Sequence, residues 1–136
     1  MPEFSQQSKD KLETCHADLQ MLANEAVKYV DFSVICGHRG KADQDKAYAI
    51  GTSNAKWPES KHNHLAKRLV DSDLQMVPES LAFDFCPYPV DWDDRERFCI
   101  VIGVLMACAQ ILKIPIKFGR TFKEPAPRDY GHVEMS

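Results

Sequence analysis

The sequence has no apolar run long enough to cross a membrane. The longest run, residues 98–112, is interrupted by Gln110 and is shorter than the roughly 20 residues that a membrane-spanning helix needs. Residues 1–7 have neither the basic nor the apolar segment of a signal peptide. We therefore expect no stable membrane association and a protein that is made in the cytoplasm without a signal for export.

The sequence also has no excess of basic charge. Lys and Arg number 17 against 20 Asp and Glu, which gives a net charge of −3. Proteins that bind nucleic acid through a dominant surface are normally strongly basic. A nucleic-acid partner is therefore not expected.

Paired cysteines are lacking as well. The five cysteines, at positions 15, 36, 86, 99 and 108, are odd in number and contain no C-x-x-C pair, so neither a zinc finger nor a disulfide framework is indicated. A chain of 136 residues can bury about two thirds of its unfolded surface without disulfides. Because most of these cysteines lie in apolar runs, we predict reduced, buried thiols that pack as small hydrophobic groups.

What is present is typical of a soluble domain. Hydrophobic residues make up 44% and charged residues 27% of the chain, and there is neither a repeat nor a long linker. We predict one domain, 1–136, and a monomer. The patterns predict helices at 5–29, 41–50 and from Asp93 to 112, and strands at 31–36, 81–86, 114–118 and 130–135.

These elements predict an α+β fold with helices packed on a small, mainly antiparallel sheet. The first helix should serve packing, the second should turn Ala42, Ala47 and Ile50 inward, and the third is nearly apolar all round and should be buried. Residues 65–80 fit either a short surface helix or an ordered excursion.

The C-terminus carries an unusual polar pattern. In a strand, His132 and Glu134 would point to one face and Val133 to the other. Because chain ends fray unless something holds them, we expect this end to be held by both a sheet and a metal ion.

Two further residues are candidate metal ligands. Asp84 interrupts an apolar run, and a buried carboxylate costs several kcal/mol unless it is paired. Its partner is either a metal ion or a basic side chain. His62 lies in a polar stretch, where a solvated histidine is the simple alternative. Together with His132 they form the three-ligand set of a catalytic zinc site, which keeps one position open.

Asp129 and Arg39 are candidates for chemistry beside that metal. A carboxylate near the metal can take a proton from water, although Asp129 also suits a turn in which it bonds its own backbone. Arg39, at the end of a strand, could stabilise an oxyanion or bind a substrate carboxylate. Its alternative is an exposed surface arginine.

Five segments resemble one protein family when they are taken together and in order. They are VICGHRG at 34–40, GTS at 51–53, SKHN at 60–63, AFDFCPYPVDW at 82–92 and GHVE at 131–134. They resemble the phage endolysins of the zinc D-Ala-D-Ala carboxypeptidase and L-alanyl-D-glutamate peptidase superfamily, from about residue 10 to the C-terminus. The resemblance implies a hedgehog/DD-peptidase-like fold.

The resemblance also implies a role for each candidate. His62, Asp84 and His132 match the three zinc ligands, and Asp129, three positions before the last of them, matches the catalytic base. Arg39 matches an arginine that stabilises the transition state.

Glu134 resembles a residue that orients a ligand. The implied activity is a zinc-dependent endolysin that cleaves the peptidoglycan stem peptide, with the L-alanyl-D-glutamate bond as the first expectation. The alternatives are a D-alanyl-D-alanine carboxypeptidase or dipeptidase, and a non-catalytic zinc-stabilised binding module. The family likeness implies storage in the host cytoplasm until a holin-type lesion gives access to the periplasm and cell wall.

The sequence departs from the family pattern in two places. His62 and Asp84 are 22 residues apart, further than in compact members, so 63–80 is interpreted as an insertion that leaves His64 as a possible substitute ligand. Residues 119–122 read GRTF, where relatives often carry Gly-Gly-Asp-Trp.

Overall fold

A computed structural model describes residues 2–119 and 130–136 of the chain. The predicted base Asp129 and the predicted departure at positions 120–122 lie outside the described residues. The described elements are α1 (Gln6–Leu12), α2 (Ala17–Ala26), β1 (Phe32–Cys36), α3 (Lys41–Ala49), a 3-10 turn (Lys61–Asn63), β2 (Leu65–Val70), β3 (Asp73–Pro78), β4 (Ala82–Pro87), α4 (Arg95–Leu112), β5 (Ile116–Phe118) and β6 (His132–Met135). The predicted α+β class is confirmed.

Within the described residues, the central sheet has four strands in the order β1-β4-β6-β5, and each neighbouring pair is antiparallel. The C-terminal strand β6 lies between β4 and β5, so both of its edges are paired. This sheet position explains how the end of the chain stays ordered.

The core lies on one face of this sheet. Phe83 and Phe85 of β4 are fully buried on that face, beside Val133 of β6. Phe85 contacts Phe98 of α4, with their ring centroids 6.0 Å apart. Because side chains alternate along a strand, Asp84 points to the opposite face.

The single helix predicted for residues 5–29 is wrong, because the chain breaks between α1 and α2. The backbone of Ser80 forms two hydrogen bonds with the segment between the helices. Its N–H donates to the Thr14 carbonyl at 2.8 Å, and its carbonyl accepts from the His16 N–H at 2.9 Å. Nδ1 of His16 then caps α2 by accepting from the Asp18 N–H. These long-range bonds leave no trace in the apolar periodicity of the segment.

Helix α4 is buried on one side only. Phe98, Val101 and Leu105 face the core, whereas Ile100 and Ile111 are 58% and 78% exposed. The prediction of a helix buried all round is therefore wrong. In the described ranges, no helix has both the length and the apolar character that crossing a membrane requires.

Helix α3 turns a polar residue inward. Gln44 is fully buried, while Ala42 and Ile50 are exposed, so the predicted inward face is wrong. The Gln44 amide nitrogen donates to the Ser53 hydroxyl and the Ala55 carbonyl. Helix α3 is thus held to the following loop by hydrogen bonds from a buried amide.

Residues 65–78 form an antiparallel hairpin, β2-β3, which settles the open choice in favour of the excursion. Asp71 and Ser72 at its tip have positive φ angles. Arg68 in the middle of β2 pairs with Glu79, the residue after β3, at 2.6 Å. The hairpin therefore separates the turn that holds His62 from the strand that holds Asp84.

The five cysteines all lie in the described part of the chain and are free thiols. Cys15, Cys86 and Cys108 are buried as predicted. Cys99 is exposed on α4, and Cys36 is half-buried at the end of β1, so the prediction of buried thiols is wrong for these two.

Candidate active site

Three potential ligands form a row across the sheet, on the face opposite the core. Asp84 of β4 is the cross-strand partner of Cys36 on β1 and of His132 on β6. Side chains at such directly opposed positions have Cβ atoms about 4.5–5.5 Å apart. The sheet register therefore places a thiol and an imidazole on either side of one carboxylate.

His62 is brought to this row by the 3-10 turn. The Ser60 hydroxyl and the Asn63 side chain form a capping box around the turn, which fixes the backbone at His62. His62 is 3% exposed, and its Nδ1 lies 2.8 Å from the Gly37 carbonyl oxygen. Because a carbonyl only accepts, Nδ1 carries the proton, and Nε2 faces Asp84 Oδ1 at 3.3 Å.

His132 is held in a similar way from the other side. Its Nε2 lies 2.9 Å from Glu134 Oε1, and its Nδ1 lies 3.1 Å from Asp84 Oδ1. Glu134 in turn pairs with Lys61 Nζ at 2.9 Å. A histidine with its outer nitrogen bonded to a carboxylate and its inner nitrogen turned to the site has the arrangement of a metal-binding histidine.

The donor set calls for a cation at its centre. With both outer nitrogens bonded to acceptors, the inner nitrogens of His62 and His132 would each turn a lone pair toward the Asp84 carboxylate. Three acceptors that converge in a buried space repel one another unless protons or a metal ion lie between them. The residues therefore fit a divalent cation.

Without a metal, protons meet this demand. Burial lowers the pKa of both rings, but the hydrogen bonds to Asp84 outweigh it and raise the pKa of His62 to about 10 and that of His132 to about 8. Burial raises the pKa of Asp84, but the bonds from His132 and His62 hold it well below its usual value. A bound metal ion would take the place of these protons and neutralise the Asp84 carboxylate.

Arg39 reaches the second oxygen of Asp84. Its Nη2 lies 3.6 Å from Asp84 Oδ2, and its Nη1 donates to the Gln44 side-chain oxygen at 2.9 Å. The Arg39 backbone also bonds His62 and Asn63. Of the two partners predicted for Asp84, a metal ion or a basic side chain, the structure provides the basic side chain, and Arg39 is not an exposed surface arginine.

The sequence profile of the phage L-alanyl-D-glutamate peptidases matches residues 2–133. The chain belongs to this family. The peptidase is accordingly a hydrolase of peptidoglycan. The match to a phage family confirms the resemblance to the phage endolysins. No curated protein sequence matches the chain.

A solved structure shows the same fold. The crystal structure of Serratia marcescens L-Ala D-Glu endopeptidase ChiX superposes with a TM-score of 0.76 at 21% sequence identity, over 98% of this chain and 90% of that chain. At this identity the likeness establishes the fold of the peptidase.

One site residue is not predicted by the sequence. Cys36, His62 and Asp84 of the peptidase have potential donor atoms that all lie within 4.8 Å of one another, so this group could hold a metal ion. The only sequence signal is the position of Cys36 directly before the turn that contains Arg39. His64 is not part of the group, since its Nδ1 lies 2.9 Å from the Glu79 carbonyl oxygen on an exposed edge.

Proposed function

We propose that this peptidase is zinc-dependent and cleaves the L-alanyl-D-glutamate bond of the stem peptide, with His62, Asp84 and His132 as metal ligands. One observation carries the proposal. Two imidazoles, whose outer nitrogens are engaged by the Gly37 carbonyl and the Glu134 carboxylate, converge on a single oxygen of Asp84.

Zinc is the metal that this set favours. Two imidazole nitrogens and one carboxylate oxygen are a common ligand set of catalytic zinc sites, in which the fourth position stays open. Bound zinc supplies a Lewis acid that polarises the scissile carbonyl and activates water for attack.

Arg39 would supply positive charge at the edge of the site. Its guanidinium is fixed by Gln44 and by Asp84 Oδ2, so it need not reorganise when negative charge develops on the carbonyl oxygen. Preorganised charge of this kind contributes most in a site shielded from water. Arg39 also balances the Asp84 carboxylate while the ligands are held in place.

Glu134 and Lys61 would keep His132 in its ligand orientation. Glu134 accepts from the outer nitrogen of His132 and from Lys61. The hydrogen bonds and the positive charges of His132 and Lys61 outweigh burial and lower the pKa of Glu134 to about 2. The carboxylate is therefore charged at neutral pH and can fix the tautomer of the histidine.

Asp129 is proposed as the base that takes the proton from water and delivers it to the leaving amine. The support is its place three residues before His132 and the family resemblance. The backbone position just before β6 is fixed, because the Phe85 N–H donates to the Gly131 carbonyl at 2.7 Å. A Cβ at Gly131 would lie 2.4 Å from the Phe85 carbonyl oxygen, so any other residue there would displace the entry to the strand.

Mass spectrometry of digested sacculi tests the bond assignment. Purified sacculi are incubated with the zinc-loaded chain and with the Asp129→Ala variant as the inactive control. The proposal expects free L-alanine ends on the glycan side and new amino-terminal D-glutamate on the released peptide. Release of D-alanine would instead support the carboxypeptidase or dipeptidase alternative, and undigested sacculi would support the binding module.

We further propose that the protein stays in the host cytoplasm until a holin-type lesion releases it. The support is its membership of a phage family whose substrate lies beyond the inner membrane. Cell fractionation with and without a co-expressed holin tests this. Cleaved peptidoglycan in cells without the holin would contradict it.

A further inference from the structure

Cys36 shares a face of the sheet with the proposed ligands because of a β-bulge. Val34 pairs with Phe85 and Cys36 pairs with Asp84, so two residues of β1 advance while β4 advances by one. In a regular strand Val34 and Cys36 would share a face, and Cys36 would point into the core beside Val34. The extra residue turns Cys36 to the face of Asp84, as bulges beside active sites commonly do.

The Cys36 sulfur lies beside a positively charged side chain. Arg39 Nη2 lies 3.9 Å from the Cys36 sulfur and 3.6 Å from Asp84 Oδ2. One guanidinium thus faces both the thiol and the carboxylate. The Cys36 sulfur thus lies next to a fixed positive charge and next to the proposed metal position.

The distances suit a shared ion. The donor atoms of Cys36, His62 and Asp84 lie within 4.8 Å of one another. In a tetrahedral zinc site, two donor atoms bound at about 2.0–2.3 Å lie about 3.3–3.8 Å apart. A small movement of the Cys36 side chain is therefore enough to bring its sulfur into the range of the same ion.

We propose that Cys36 is a fourth protein ligand, which binds as a thiolate to the metal held by His62, Asp84 and His132. This inference rests on the proposed metal site. Catalytic zinc sites keep a position open, whereas four protein ligands make a closed site. The form with the sulfur bound would then be a resting state that retains the metal, and water or the scissile carbonyl would replace the sulfur before a substrate is cleaved.

Cobalt replacement tests the proposal on the full chain. A cysteine thiolate bound to Co²⁺ gives an intense charge-transfer absorption in the near ultraviolet, which histidine and carboxylate ligands do not give. The wild-type chain loaded with one equivalent of Co²⁺ is expected to show this band. Cys36→Ser is expected to lose it and to bind the metal at least about tenfold more weakly, since even the loss of a residue that only orients a ligand costs that much.

Cys99→Ser is the matched control, because Cys99 is an exposed thiol on α4 away from the site face of the sheet. This variant should keep both the band and the metal affinity. Alkylation of the wild-type chain gives a second readout. Added zinc should protect Cys36 from the reagent, while Cys99 in the same sample should react with and without zinc.

A wild-type cobalt protein without the charge-transfer band would overturn the role of Cys36, whatever the variants do. The band is scored separately from cleavage of sacculi by the zinc-loaded chain. No band with full cleavage rejects the fourth ligand and leaves the proposed function standing. A band without any cleavage supports the thiolate ligand and rejects the proposed function.

Discussion

The stability of the metal-free protein should fall as the pH rises from 6.5 to 8, and zinc should remove this fall. Folding raises the pKa of His62 to about 10 and of His132 to about 8, from about 6.5 in the unfolded chain. A raised pKa means that the folded state holds the proton more tightly. Its contribution to stability is therefore fully present below pH 6.5 and is lost as the pH rises through the folded values.

The magnitude follows from proton binding. Where the unfolded ring has lost its proton and the folded ring keeps it, stability falls by about 1.4 kcal/mol per pH unit for each ring. Both rings are nearly inaccessible, with side chains 4% and 12% exposed. Because they share Asp84 and compete for it, we expect a combined loss of about 2–4 kcal/mol between pH 6.5 and 8.

Urea unfolding at pH 6.5, 7.2 and 8.0 measures this loss, with one sample in chelator and one with excess zinc. In the zinc-loaded sample the metal replaces the protons between the ligands, so its unfolding free energy should not fall in this range. His64→Gln is the matched control, because His64 lies outside the ligand group, and it should keep the difference between the samples. Equal pH slopes with and without zinc would refute the reasoning.

Three further substitutions test individual residues. Glu134→Gln should weaken zinc binding by about 10- to 100-fold, because His132 loses the charged group that orients it; titration against a competing chelator measures this, and unchanged affinity would show that Glu134 does not position the ligand. Asp129→Ala should retain zinc but lose about 10²- to 10⁴-fold in kcat, and wild-type lysis of purified cell walls would reject the base assignment. Arg39→Lys should lower kcat by about 10²- to 10³-fold with zinc still bound, and full activity in this variant would remove Arg39 from the transition state.

Two features around Asp84 follow from local sequence patterns. The apolar run around Asp84 predicts a buried strand that contains one charged residue. In β4 the neighbours of Asp84 are buried and Asp84 itself is half-buried. The alternation at the C-terminus predicts that His132 and Glu134 share a face, and their side chains are 2.9 Å apart. These features depend on a period of two within single strands, which a sequence shows directly.

The features that the sequence does not predict all depend on contacts between distant segments. The break before α2 is made by Ser80, which is remote in the chain. Gln44 is buried because it bonds Arg39, Asn63 and the loop after α3. Cys36 joins the site through a bulge that exists only when β1 pairs with β4. Regular alternation along β1 would instead predict that Cys36 faces the core.

Metal content is the most direct test of the central claim that His62, Asp84 and His132 hold zinc. Elemental analysis of the purified wild-type chain after dialysis should give about one zinc per chain. The His132→Ala variant, made together with Cys36→Ser so that the thiol cannot serve as a third ligand, and with folding verified by circular dichroism, should give almost none. A full zinc complement in that variant would contradict the proposed ligand set.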